Sequence, residues 1–175
     1  MSLSLHRGRG APGKETGFSM IEVLISLVLI AVAMLGAANL QLQALKLGKG
    51  AAFRMHALTL AMEIGERMEA NKTGAVTSPS PYETATSTAA RTVGKDCTGA
   101  PCTATELANF DLGSWESSLV TNLPAASWSI TNTIPGNPST YSIVVSWTDR
   151  RDSNTYASTG TTEAFSYTAV RTVSQ

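Results

Sequence analysis

The sequence predicts an α+β fold: a long N-terminal helix, membrane-spanning in its first half, packed on a small antiparallel β-sheet head. Three features point to it. From Phe18 to Leu42 the only charged residue is Glu22. From Phe53 to Met68 apolar residues recur at helical spacing, and in the last third they alternate with polar ones at the two-residue period of a half-buried strand. By segments, residues 1–17 read as a short basic leader. Residues 18–72 read as the helix, with its transmembrane segment at about 18–42, and residues 73–175 as the globular head.

The leader holds Arg7, Arg9 and Lys14 against Glu15. The apolar stretch behind it, Phe18 to Leu42, is 25 residues, about 37 Å as a helix. A bilayer core of about 30 Å needs about 20 apolar residues, so this stretch is long enough to span. It is apolar all round rather than on one stripe, as a lipid-facing helix requires. Glu22 is the exception. A carboxylate at the centre of a membrane helix costs on the order of 3 kcal/mol, less near an end, and calls for a partner. Cleavage between Gly17 and Phe18 would make one: a free amine on Phe18, one helical turn from Glu22, in the same chain or in a neighbour packed alongside. The positive end of the helix dipole also favours an acid in its first turn. On this reading Glu22 fixes how deep one helix sits against the next. A secretory signal peptide is the competing reading, with cleavage near Ala31-Val32-Ala33 or Gly36-Ala37-Ala38. It leaves Glu22 unexplained and the amphipathic stretch after Lys46 unattached.

Beyond the apolar stretch the helix continues as an amphipathic one. Phe53, Ala57, Leu60, Ala61, Ile64 and Met68 share a face, while Arg54, Thr59, Glu63, Glu66 and Arg67 fall on the other. Glu63 and Arg67 form an i, i+4 pair in the favourable order. The helix is expected to end near Asn71, ahead of Gly74. Gly48 and Gly50 each weaken it by about 1 kcal/mol and mark where it would break. His56 reads as a surface histidine. Residues 74–91, rich in Ser, Thr and Ala with Pro79 and Pro81, read as an exposed loop. Cys97 and Cys102 follow in a loop-like context. Outside the cytoplasm they would close a small disulfide loop worth about 2 kcal/mol. A redox pair or two zinc ligands are the alternatives, but the spacing is not C-x-x-C and no histidine lies near in sequence.

Thr103-Ala104-Thr105-Glu106 offers a capping box for a helix over about 105–121, with Ala108, Leu112, Trp115 and Leu119 on one face and Leu123-Pro124 at its end. Strands follow. Trp128 and Ile130 alternate with polar residues, as do Tyr141, Ile143, Val145 and Trp147, then Phe165, Tyr167 and Ala169. Turn signals at Pro135-Gly136-Asn137-Pro138 and at Asp149 to Asn154 separate them, giving three or four antiparallel strands. The second turn carries Asp149 and Asp152, but Arg150 and Arg151 spoil it as a calcium loop, so a charged hairpin turn is expected. Tryptophans 115, 128 and 147 read as core rather than as a sugar platform.

Formal net charge is zero. Without the leader, ten basic residues face twelve acidic ones, and no basic stripe with interleaved aromatics appears, which argues against nucleic acid as a partner. No G-x-S-x-G, H-E-x-x-H, phosphate loop or glycine fingerprint is present, and the two histidines, His6 and His56, lie far apart. The sequence therefore reads as non-enzymatic, with no cofactor and no metal site. Lys and Arg flank the apolar stretch on both sides, so charge alone does not orient it.

Gly17-Phe18-Ser19-Met20-Ile21-Glu22 followed by the apolar run resembles the class III leader of type IV pilins and pseudopilins, over roughly 14–47. The resemblance implies cleavage by a prepilin peptidase after Gly17, N-methylation of Phe18, and Glu22 as the assembly carboxylate. It implies an inner-membrane precursor with the leader cytoplasmic and the head periplasmic, later drawn into a pilus at the cell surface. Major pilins often carry a helix-bending proline here, where this chain has Gly36 and Asn39. The Cys pair and the segment from Thr103 to Trp115 resemble the minor pilins of the type IV pilus modification protein PilV type. The implied role is a minor pilin in type IV pilus assembly, a structural subunit partnered by other major and minor pilins, the inner-membrane assembly platform and membrane lipid. A type II secretion pseudopilin is the alternative within the same architecture. A filament-displayed adhesin or DNA-uptake subunit is the alternative from another class, and an anchored enzyme a further one. Lipid already satisfies the apolar helix, so its burial against other helices drives extraction only weakly, and a powered assembly machine is implied.

Overall fold

The chain from Gly17 onward enters a helix as soon as its apolar run begins. The structure, a computed structural model, describes residues 17–151 and 161–175. Helix α1 spans Met20–Ala70 and stays helical through Gly36, Asn39, Gly48 and Gly50, so neither glycine breaks it. Two units are distinguished by their internal contacts, one ending at Leu45 and one running Lys46–Gln175. In the first, every described side chain is exposed, including Phe18, Leu24, Leu29 and Leu35. Its best 18-residue window has a mean hydropathy of 2.5 and no buried part, which makes it long and apolar enough to cross a membrane.

In the second unit α1 becomes one-sided. Ala57, Leu60, Ala61, Ile64 and Met68 are buried and Phe53 packs partly against them, as the 3.6-residue period predicts. Asn71 ends α1 and caps a short helix α2, Lys72–Val76, its side-chain oxygen accepting from the Gly74 N–H. This turn, and a short strand β1 at Thr84–Ser87, correct the expectation of an uninterrupted loop over 74–91. The Ser/Thr-rich composition hid both, because the strand is set by pairing with its neighbour rather than by its own apolar pattern.

Helix α3, Ala104–Asn122, opens on the expected capping box: Thr103 Oγ1 accepts from the Glu106 N–H, and Glu106 accepts from the Thr103 N–H. Ala108, Leu112, Trp115 and Leu119 are fully buried on its inner face. Strands β2 (Ser127–Ile134), β3 (Ser139–Arg151) and β4 (Thr161–Val173) complete an antiparallel sheet of order β1-β2-β3-β4. Trp128 faces Val145 across β2–β3, and Val145 faces Tyr167 across β3–β4. The inward members Trp128, Ile130, Tyr141, Ile143, Val145 and Trp147 are buried, and they join the apolar faces of α1 and α3 in one core. All three tryptophans are therefore core residues.

The charged segment predicted as a hairpin turn is corrected in part. Asp149, Arg150 and Arg151 belong to β3 and pair with Glu163, Thr162 and Thr161, because the ladder runs without a bulge along the whole of both strands. Asp152, Ser153 and Asn154 lie outside the described residues, as do positions 1–16 of the leader.

Gly113 shows how tightly α3 is covered. A Cβ there would stand 2.3 Å from Val93 Cγ2 and 3.6 Å from the Arg91 carbonyl oxygen. Helix propensity favours Gly113→Ala by about 1 kcal/mol, while overpacking costs about 1–3 kcal/mol. The variant is expected to lose up to about 2 kcal/mol net in urea unfolding of the full chain in detergent. An unchanged midpoint would show that the segment over Gly113 gives way freely.

Candidate functional site

The N-terminal unit presents one chemical feature. Glu22 stands in the first turn of α1, where its N–H and that of Val23 both meet the Ser19 carbonyl, at 3.0 and 3.3 Å. Ser26 Oγ donates to the Glu22 carbonyl at 2.7 Å. Between Gly17 and Leu45 the sequence holds no Lys, Arg or His, so the carboxylate is the single side-chain charge of an exposed apolar helix. A cation for it must come from a chain terminus or from another molecule. Gly17 and Phe18 lie immediately before the helix, both exposed.

Two polar clusters tie the elements of the head together, the first of them also to α1. In the first, Arg67 Nη2 pairs with Glu63 at 2.6 Å and its Nη1 with Asp111 at 3.2 Å. Arg67 is thus not simply on the polar outer face, as its helical position suggested; its other side reaches α3. Tyr82 Oη donates to Asp111 Oδ2 at 2.8 Å, and Asn71 Nδ2 donates to Tyr82 Oη and to the Ala104 carbonyl. Burial pushes the Tyr82 phenol far above its ordinary value, and the hydrogen bond to Asp111 pushes it the same way. Burial works against the Arg67 cation, yet Glu63 and then Asp111 outweigh it and raise its pKa. In the second cluster, Glu116, only 1% exposed, accepts from the Arg91 guanidinium at 2.9 Å, from the Arg91 backbone N–H at 2.7 Å and from Trp128 Nε1 at 3.2 Å. Trp115 Nε1 donates to the Leu60 carbonyl at 2.8 Å, and its ring meets Trp128 edge-on at 6.3 Å.

Of these contacts sequence reasoning found the Glu63–Arg67 pair and missed the rest. The signal was there: Asp111 and Glu116 flank the apolar stripe of α3, Asp111 three residues past Ala108 and Glu116 four past Leu112. Polar residues at such places are buried with partners or not at all.

Cys97 and Cys102 are joined as a disulfide with Cα atoms 5.8 Å apart. The loop is tied to the start of α3 by Lys95, whose Nζ donates to the Pro101 carbonyl at 2.9 Å and to Glu106 at 3.0 Å. The Thr103 N–H, followed by Lys95, holds the exposed Glu106 carboxyl below its ordinary range. His56 is exposed. Among the described residues no three His, Cys, Asp or Glu side chains gather as a metal site would.

Residues 13–38 match the profile described as the prokaryotic N-terminal methylation motif, and residues 39–113 match the Tt1218-like profile, described as type IV pilin Tt1218. Over these two spans the chain is similar to type IV pilins. No curated protein and no solved structure matches it. The two matched spans adjoin and run from the leader through Gly113, so they take in Glu22 as well as Arg67, Asn71, Tyr82 and Asp111 of the first cluster. Type IV pilins are structural, non-catalytic subunits, and the helix and methylation motif of this chain fit a membrane-anchored precursor that later joins a pilus.

Two outcomes follow from these clusters. Glu116→Ala takes away the carboxylate partner of the Arg91 guanidinium, which keeps Thr84 and Asn109, and leaves buried Trp128 Nε1 without its acceptor; it is expected to destabilise the head by about 2–3 kcal/mol, read by chemical denaturation. Tyr82 and Tyr141 are both raised above 10.0, chiefly by burial. The unfolded chain therefore gives up these protons first, so their contribution to stability is complete below pH 10 and falls as pH rises beyond it. Thermal melts between pH 8 and pH 11 should show that loss, and Tyr82→Phe should reduce its slope while costing about 1 kcal/mol at neutral pH.

Proposed function

We propose that this pilin is a minor pilin of the type IV pilus modification protein PilV type, which takes part in assembling the filament. The observation that carries the reading is the isolated acid, Glu22, in the first turn of a bare apolar helix, five residues after Gly17. Residues 1–17 act as the leader, 18–72 as the spine, with its membrane segment at about 18–42, and 73–175 as the head. Prepilin peptidase cuts after Gly17 and the new terminus on Phe18 is methylated. Its amine, or that of a neighbouring subunit, answers the Glu22 carboxylate and sets the axial register of the incoming spine.

The precursor sits in the inner membrane with its leader cytoplasmic and its head periplasmic. Its partners are the prepilin peptidase, the assembly platform, and other major and minor pilins met along the spine. The Cys97–Cys102 loop leading into the capping box and Trp115 supports the minor-pilin branch. A small closed loop on the head marks a local contact surface rather than a load-carrying staple.

Mass spectrometry of the subunit recovered from cells is expected to find Phe18 at the N-terminus carrying one added methyl group. A mature chain starting at Met1, or beyond Ala33, would sink the assignment. Glu22→Ala should be processed normally yet enter filaments at least tenfold less often, measured by immunoblot of sheared pili. Undiminished incorporation would remove Glu22 from its register role.

A further inference from the structure

The sheet ends in two unlike edges. β1, on one side, is four residues long and shifts register within that length. Shortness and irregularity are common ways of blunting an edge. β4, on the other side, is thirteen residues long and pairs with β3 at every one of them without a bulge. In an antiparallel ladder every second residue of an edge strand turns its N–H and C=O away from its neighbour. From Ser166 to Val173 that makes about four residues so turned, over about 26 Å. Among the described residues, no backbone hydrogen bond outside the ladder engages this stretch.

This half of β4 carries none of the usual deterrents to another strand. Ser166, Thr168, Val170 and Thr172 alternate onto the outer face of the sheet, all exposed and none charged, and β4 holds no proline. Arg171, the only charged residue between 164 and 175, is drawn off toward α1. Its Nη2 meets Glu66 at 3.1 Å, and its stem lies against Gly65, where a Cβ would stand 3.5 Å from Arg171 Cγ. The strand end is also held in place. Thr172 Oγ1 meets Thr140 Oγ1 at 3.0 Å, and the Gln175 N–H donates to Asn137 Oδ1 at 3.1 Å. A rail fixed beforehand loses little freedom on binding. An unpaired main-chain rail is complementary to one kind of ligand, another extended main chain. We propose that the Ser166–Val173 half of β4 takes up an extended strand from a different polypeptide of the pilus, which lengthens the sheet by one strand. The absence of outward charge on the rail calls for uncharged side chains on the outer face of that strand. Two copies joining β4 to β4 in the antiparallel manner of this sheet would run their α1 helices in opposite senses. Subunits inserted in one membrane share one sense, so the choice of a foreign strand over a second copy rests on the membrane reading proposed above.

The test uses the full chain in cells, with Ser166, Thr168 or Val170 replaced by the photocrosslinking residue benzoylphenylalanine, and with Ser129 of β2, on the same face, as the control position. Mass spectrometry of the adducts is expected to find the three β4 sites joined to one segment of one other protein. The joined residue should move two places along that segment for every two along β4, the signature of a paired strand. Position 129 should give about tenfold less adduct, because it lies two strands from the edge. Thr168→Lys should cut the adduct from position 166 about tenfold, as an edge charge does, while leaving the melting temperature in detergent unchanged. Adducts with a second copy of this chain would overturn the proposal. So would adducts with no constant register, adducts as abundant from position 129, no adduct from β4, or a Thr168→Lys chain that keeps them. A mature chain that does not begin at Phe18 would refute the pilin reading instead, a result separate from the register of the adducts.

Discussion

Among the described residues of the first unit, nothing covers the apolar side chains from Phe18 to Leu45, and the rest of the protein follows from that constraint. Exposed to water, such a surface would cost on the order of 25 cal/mol for each Å². It is therefore built for an environment supplied from outside, first lipid and then other helices. Neither environment is more apolar than the other, so the helix itself has little preference between them. A polar device must carry the preference instead. On the proposed reading Glu22 supplies it: it stands in the first turn, where the helix dipole tolerates an acid, and cleavage after Gly17 would bring a chain terminus within a turn of it.

The same helix then changes its manner of burial without a break in its backbone. Past Lys46 its apolar residues narrow to a stripe, and Leu60, Ile64 and Met68 sink into a core shared with α3 and the sheet. Trp115 binds the Leu60 carbonyl directly, so α3 is keyed to one turn of α1 rather than left to slide along it. The neighbouring Trp128 is keyed in turn by Glu116. These hydrogen bonds add modest net stability but fix register, since a slip would strand buried donors without acceptors.

The cluster of Arg67, Asn71, Tyr82 and Asp111 works similarly at the far end of α1. It joins the helix end, the turn after it and α3 through groups whose burial would be costly if any member were missing. Arg91 does the same for the segment over α3, reaching Glu116, Thr84 and Asn109 at once. The region from 77 to 102, poor in apolar anchors, is held mainly by these polar contacts and by the Cys97–Cys102 link.

Periodicity alone was enough to read the long helix, its membrane half, the capped helix from Thr103 and the alternating strands, because each rests on contacts between residues near in sequence or on a repeated face. The N-terminal methylation motif was likewise legible, as a local spacing followed by a charge-free run. The four residues of β1 were not, nor was the extension of β3 through Asp149 to Arg151, because strand limits are set by the partner strand. Nor were the partners of Asp111 and Glu116 or the meeting of Gly50 with Asp149. Those contacts join positions 12 to 99 residues apart. A one-dimensional pattern shows that a polar residue lies on a buried face, but only the folded chain supplies the group that satisfies it.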